Sequence, residues 1–329
     1  MRILIAAALL AALAARPAAA VDFSRAAAGT AGSDFLLLDE GARGIAMGGA
    51  MSAITDDATS IYWNPAGLYR VPRLSASFMH AQYVADITYD DISYAQRIND
   101  ASVLGLGVRY MDGGSITQTN IDAMDVGTFH PRSYVVEAGW GEQIYDLSDS
   151  DMDIGMGVSG KMIRTDLGPA SANGYALDFG VQSRFYTALL PYNMSFVIQN
   201  LGSGQKFDQV RDTLPLRLRF GGGVQPVRGL TLSVEGLAPI NDAPYAAGGA
   251  EYSAEIEPGV KAAARVGVNS QTFQSLGFAS MLNFGLGLTL GDFSFDYAFA
   301  PMGVLGTAAH RISLSYNLPA KISRRYRER

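Results

Sequence analysis

The stretch Asn283 to Phe299, NFGLGLTLGDFSFDYAF, alternates large apolar residues with small or polar ones through two runs and a turn, and few folds accept that pattern. Phe284, Leu286, Leu288 and Leu290 stand against Gly285, Gly287 and Thr289. After Gly291-Asp292 the alternation resumes as Phe293, Phe295, Tyr297 and Phe299 against Ser294, Asp296 and Ala298. A period of two belongs to a strand, whose successive side chains point to opposite faces. A two-residue turn that opens on glycine suits the tight hairpin whose twist matches its strands. Each run is about nine residues long, enough for a tilted strand to cross a bilayer. The hairpin reads as one unit of a membrane barrel, apolar outward and small or polar inward.

From Arg73 onward the chain offers fourteen strand candidates, and the best keep strict phase. Tyr175, Leu177, Phe179 and Val181 oppose Asp178, Gln182 and Arg184, and Ile312, Leu314, Tyr316 and Leu318 oppose Arg311, Ser313, Ser315 and Asn317. The stretch around Ala246 to Tyr252 carries the weakest alternation. An even number of antiparallel strands is what a closed bacterial barrel requires, and such barrels have short periplasmic turns and longer outer loops. The links follow that rule. Met111 to Pro131, Thr165 to Asn173 and Leu201 to Pro215 are long, whereas Asp146 to Ser150, Thr187 to Pro191, Gln225 to Arg228 and Gly291-Asp292 are short and alternate with them. A soluble sandwich or propeller has no reason to sort its loops by parity. The expected fold is all-β, a 14-stranded antiparallel transmembrane β-barrel over residues 72–318.

The N-terminus supplies the address. Arg2, the apolar run Ile3 to Ala15 and the small residues Ala18-Ala19-Ala20 form a signal peptide over residues 1–20, with cleavage expected after Ala20. The apolar run is too short to span a membrane as a helix. Cleavage takes two arginines from the 25 basic residues and nothing from the 31 acidic ones, so the exported chain is more acidic than the precursor's net −6. An acidic chain is not a nucleic-acid binder. With no cysteine, neither disulfides nor thiolate metal sites contribute. Together these features place the chain in the cell outer membrane, surrounded by its lipid.

Residues 21–71 differ from everything after them, being rich in Ala and Gly with no sustained period of two. The run Gly41 to Ala50 lets backbones approach closely, because glycine has no side chain to hold them apart. The stretch Asp56-Asp57-Ala58-Thr59-Ser60 offers an N-cap for a short helical turn through Ile61, Tyr62 and Trp63, which Asn64-Pro65 then ends. The segment reads as a hatch inside the lumen. Its candidates for controlling passage are Arg43, Gly44, Gly48, Gly49, Asp56, Asp57, Asn64 and Pro65. The inward faces of the strands carry both signs of charge, with Asp178, Glu235 and Asp296 against Arg217, Arg219 and Arg265. That mixture suggests cross-strand pairing in a partly plugged lumen, since an ion-selective pore would show one sign in excess. Arg43 is expected to pair with one of the three luminal acids, since an unpaired charge there is costly.

The stretch FLLLDEGARGIAMGGAMSAITDDATSIYWNPAGL, Phe35 to Leu68, resembles the N-terminal signature of the PorV/PorQ family, itself similar to the FadL-type outer-membrane transporters. Leu216 to Glu235 and Phe293 to Tyr316 resemble that family's later strands. The resemblance implies a 14-stranded barrel with an N-terminal luminal hatch and a place in protein export, with exported proteins as partners. The alternative it leaves open is FadL-like passive transport of hydrophobic molecules such as fatty acids and aromatics. The chain departs from outer-membrane barrels that end on an aromatic residue, because Pro319 and a basic tail over residues 319–329 follow HRISLSYNL.

Motifs for other chemistry are weak. Gly155-Met-Gly157-Val-Ser-Gly160 fits a dinucleotide-binding pattern but lies within a strand, with no helix after it. His80, His130 and His310 have no ligand-like spacing, and no nucleophile elbow or zinc-protease motif is present. The expectation is a non-enzymatic protein without cofactor or metal. Its topology is open to direct measurement. In whole cells an impermeant thiol reagent should label a cysteine placed at Asn120 or Lys206 but not one at Asp292; labelling at Asp292 alone would invert the barrel.

Overall fold

A computed structural model describes residues 24–145, 152–187 and 190–319. The expected signal peptide and nearly all of the basic tail lie outside them. The strands are β1 (Leu74–Gln82), β2 (Thr88–Arg97), β3 (Ser102–Asp112), β4 (Ile116–Thr119), β5 (Asp125–Phe129), β6 (Arg132–Tyr145), β7 (Met152–Asp166) and β8 (Ser171–Phe185). They continue as β9 (Tyr192–Ser203), β10 (Arg217–Val227), β11 (Leu230–Pro239), β12 (Tyr245–Glu257), β13 (Val260–Asn269), β14 (Leu282–Leu290), β15 (Phe293–Pro301) and β16 (Ala308–Leu318). β4 and β5 pair only with each other; all the others pair antiparallel with their neighbours in one sheet, and β16 returns to β1 with Leu74 opposite Leu318 and Gln82 opposite His310. This is a closed barrel of fourteen strands. Closure leaves no free sheet edge, which a hydrocarbon environment demands. Among the described residues no helix is long and apolar enough to cross a membrane.

The wall keeps the phase read from the opening hairpin. In β14 and β15, Leu286 lies opposite Tyr297 and Leu288 opposite Phe295, all outward and exposed to the lipid side. Between them the turn glycine Gly291 takes φ +59, a value that a residue with a Cβ adopts only with strain. The outer face of the other strands is likewise apolar, with Val136, Met162, Phe220, Val234 and Ile312 exposed, while charged and small residues are buried inside. The weak stretch around Ala246 is a full strand, β12, with Gly249 and Glu251 facing inward.

The two ends differ as expected, except that the link expected from Thr165 to Asn173 shrinks to a short turn over 167–170, because β7 and β8 pair out to Asp166 and Ser171. One carries short turns such as Gly291-Asp292, and the other carries long links with structure of their own. The link from Met111 to Pro131, read from the sequence as a plain loop, contains the hairpin β4–β5. The β13–β14 link forms a helix, Ser270–Leu276, whose cap is the Asn269 side chain accepting from the Gln271 amide. Two tyrosines that lie near strand ends, Tyr83 and Tyr245, turn away from the lipid, because each hydroxyl meets an inward arginine, Arg311 and Arg217 respectively.

Leu286 stands at the middle of β14 on the lipid face, 64% exposed. Leu286→Arg should destabilise the barrel by about 2–4 kcal/mol in lipid vesicles, measured by urea unfolding, because a charge at the membrane midplane loses its hydration.

Candidate functional site

Residues 24–71 fold into short helical turns, Arg25–Ala27, Asp34–Leu37, Ala42–Ala46, Ser60–Trp63 and Pro65–Arg70, and pack against the inward face of the wall. Ile45, Met47, Ile61, Tyr62, Trp63 and Leu68 are each no more than 3% exposed. Close packing here depends on glycines from both partners. A Cβ on Gly48 would come within 2.5 Å of the Val268 carbonyl oxygen, and one on Gly44 within 2.2 Å of the Trp63 ring. Facing them, a Cβ on Gly267 would meet the Gly48 nitrogen at 2.0 Å, and one on Gly157 the Pro65 carbonyl carbon at 2.2 Å. Gly155 lies against the Tyr69 ring, so the dinucleotide-like motif is the floor on which Pro65 to Tyr69 rests.

Asn64 and Pro65 join the segment to this floor. Asn64 accepts from the Ala66 amide at 3.0 Å and donates to the Ser52 and Val181 carbonyls at 2.9 and 3.2 Å, next to a bare Gly180. Asp57 does not act as the helix N-cap. Thr59 holds that position, and Asp57 instead accepts from the Thr59 amide at 2.9 Å and hydroxyl at 2.6 Å, which tightens the loop before the helix.

Charge forms a second set of contacts. Arg43 reaches none of Asp178, Glu235 and Asp296; it forks onto Glu251 at 2.9 and 3.0 Å and touches Asp56 at 3.4 Å. The expectation failed because Glu251 sits on β12, the strand whose alternation is weakest, and so was not counted among the luminal acids. Glu251 also holds Arg265 at 2.6 Å, and Arg265 in turn holds Asp296 at 2.6 Å. Arg219 and Glu235 form a fully buried pair that also engages the segment. Arg219 donates to the Gly49 carbonyl at 2.7 Å and lies over the Trp63 ring, while Glu235 accepts from the Ser52 amide at 3.0 Å. Arg217 binds Gln199 at 2.8 Å and the Tyr62 hydroxyl at 3.3 Å. Asp178 pairs with Lys161 at 2.5 Å.

Sequence reasoning passed over Glu40. It lies within the segment and meets Arg109 of β3 at 3.0 Å, and Arg109 continues to Glu137 at 2.9 Å. Burial pushes the Glu40 carboxyl well above its usual range, against the opposing pull of Arg109. A signal for the whole docking surface was present in the glycines at inward phase, Gly105, Gly107, Gly139, Gly141, Gly155, Gly157, Gly249, Gly267 and Gly285. A face that needs no side chains there is a face that something else covers. The three histidines stay apart, His80 bonded to Asp90 at 2.6 Å, His310 to Tyr297 at 2.8 Å and His130 to Asp112 at 3.4 Å. The arrangement holds a segment in place; it does not converge on a reacting atom.

A closed barrel of fourteen antiparallel strands with an apolar outer wall defines an outer-membrane β-barrel. The family model described as Type IX secretion system protein PorV matches residues 22–229, and the chain belongs to the PorV family. Among solved structures it is similar to the Ralstonia pickettii toluene transporter TbuX, with TM-score 0.55 and 12% identity over 86% of this chain and 100% of that one. It is similar also to the Pseudomonas putida toluene transporter TodX, with TM-score 0.53 and 13% identity over 85% and 98%. A Pseudomonas aeruginosa FadL homologue gives TM-score 0.50 and 9% identity over 84% and 98%. Likeness at this level of identity is likeness of fold, here that of the FadL-type barrels. No curated protein sequence matches the chain.

Gly157→Val should unseat residues 64–69 while leaving the barrel closed, since its Cβ would enter the Pro65–Ala66 backbone. Heat-resistant mobility on gels is expected to stay as in the wild type, whereas protease cleavage within residues 24–71 should become faster.

Proposed function

We propose that this chain serves protein export at the outer membrane, as a barrel whose residues 21–71 act as a hatch and whose long-loop end meets exported proteins. It reaches that membrane through cleavage after Ala20. The observation that carries this reading is the polarity of the lumen. The largest gap beside the segment among those described at the short-turn end, about 350 Å³, is lined by Arg43, Asp57, Glu251, Lys261, Arg265 and Asp296. A hydrophobic compound needs an apolar path lined by few polar groups, and this gap is lined by many. The long-loop end, by contrast, exposes apolar side chains to water on the β4–β5 hairpin, with Ile121, Met124 and Val126 all more than half exposed. Exposed apolar groups of this kind, clear of the membrane wall, favour contact with another protein.

Control by the hatch follows from how it is tied. The wall closes without it, because every ladder group pairs within the wall. The ties are the Arg43–Glu251 fork, the Arg219 bond to Gly49 and the glycine floor under Pro65. In a strain lacking this chain, type IX cargo should accumulate in the periplasm while uptake of toluene, added as a probe, stays normal. Normal secretion with reduced toluene uptake would overturn the export reading in favour of FadL-like transport of hydrophobic compounds.

The hatch itself is tested separately. Deleting Gly41 to Ala50, or making Arg43→Ala, should raise single-channel conductance in planar bilayers, with heat-resistant folding unchanged. Wild-type conductance in both variants would reduce the segment to a spacer.

A further inference from the structure

Arg70 ends the helical turn Pro65–Arg70, and beside it the starts and ends of β8 to β11 leave a second cavity at the short-turn mouth, about 80 Å³ in volume. Its charged lining is Arg43, Arg70 and Arg184 with the single acid Asp56. Arg43 is already paired with Glu251 and Asp56. The other two arginines are not paired with acids. Arg70 donates from Nε to Gln182 at 2.8 Å, but its Nη2 is buried with no partner among the described residues. Arg184 lies over the Tyr186 ring at 5.1 Å and has no ion pair or hydrogen bond among the described residues. Asn193, Gln225 and Thr231 complete the wall of the cavity.

A buried donor left without an acceptor costs about 1–3 kcal/mol, and more when it is charged. A buried orphan donor is met by an ordered water or an ion, and a charged donor favours an anion. A guanidinium presents a planar fork of donors that matches the oxygens of a phosphate group, and it remains charged at any pH the cell reaches. The volume is that of about two or three waters at roughly 30 Å³ each, the size of one compact tetrahedral oxyanion.

We propose that Arg70 and Arg184 bind a phosphate group at this mouth. The phosphate comes either from a phospholipid headgroup or from free inorganic phosphate; both present the same oxyanion to the arginines. Arg70 belongs to the N-terminal segment and Arg184 to the wall, so the bound group bridges the two and fastens the segment at its lower edge. This last consequence rests on the hatch reading, whereas the binding does not.

The purified barrel, prepared in phosphate-free detergent, is titrated calorimetrically with inorganic phosphate and, separately, with dihexanoyl phosphatidic acid. Saturable one-site binding is expected. It should weaken about tenfold or more in Arg184→Ala and in Arg70→Gln and be unchanged in Lys206→Ala at the opposite end. Gel mobility before and after heating confirms that each variant is folded, and Arg184→Gln replaces Arg184→Ala if the latter is not. Tighter binding of the lipid assigns the site to a headgroup, and equal or tighter binding of inorganic phosphate assigns it to the free ion. No saturable binding of either, or affinity unchanged in both arginine variants, overturns the proposal. Phosphate added to wild-type channels in bilayers should lower conductance. Binding without any effect on conductance would leave the site standing and count against the hatch.

Discussion

A peptide group in hydrocarbon has no water to bond, and the whole architecture answers that constraint. The ladder must close on itself, so β16 returns to β1 and the number of strands is even. Closure creates an interior, and the same alternation that turns Leu286 and Phe295 outward turns Arg219, Glu235 and Asp178 inward. Those charges then need partners, because a buried charge left alone is far more costly than one that is paired. Each is met either by a cross-strand neighbour, as Lys161 meets Asp178, or by the N-terminal segment, as Glu251 meets Arg43.

The interior is therefore built as two fitted surfaces. One is a wall stripped to glycine where the segment's backbone runs close, at Gly157, Gly180 and Gly267. The other is a segment that presents backbone groups and short turns to that wall, with Ser52, Gly49 and Asn64 bonding to Glu235, Arg219 and Val181. Packing and charge act together here. The fork from Arg43 and the pair Arg219–Glu235 would be weak at an exposed surface, but buried ones lose several kcal/mol when one partner is removed.

Membership of the PorV family and a FadL-like fold leave the cargo open, and the proposal of export rests instead on the chemistry of the lumen. Many charged and polar side chains line the gaps at the short-turn end, and the apolar groups exposed beyond the wall include Ile121, Met124 and Val126 on the β4–β5 hairpin. A likeness in strand number and closure carries no information about those side chains, which differ between chains that share only about one residue in eight.

The sequence by itself determined the barrel. A period of two is local, so the strands of the wall, their phase and most turn positions could be read from neighbours along the chain. Phase alone also assigns the charges Asp178, Glu235, Asp296, Arg217, Arg219 and Arg265 to the inward face. Which charge meets which was decided only by the tertiary structure, because partners such as Arg43 and Glu251 are 208 positions apart and are brought together by closure. The same holds for Glu40 with Arg109, for the inward turn of Tyr83 and Tyr245, and for the glycines under Pro65. Their meaning depends on what stands opposite, and nothing along the chain records that.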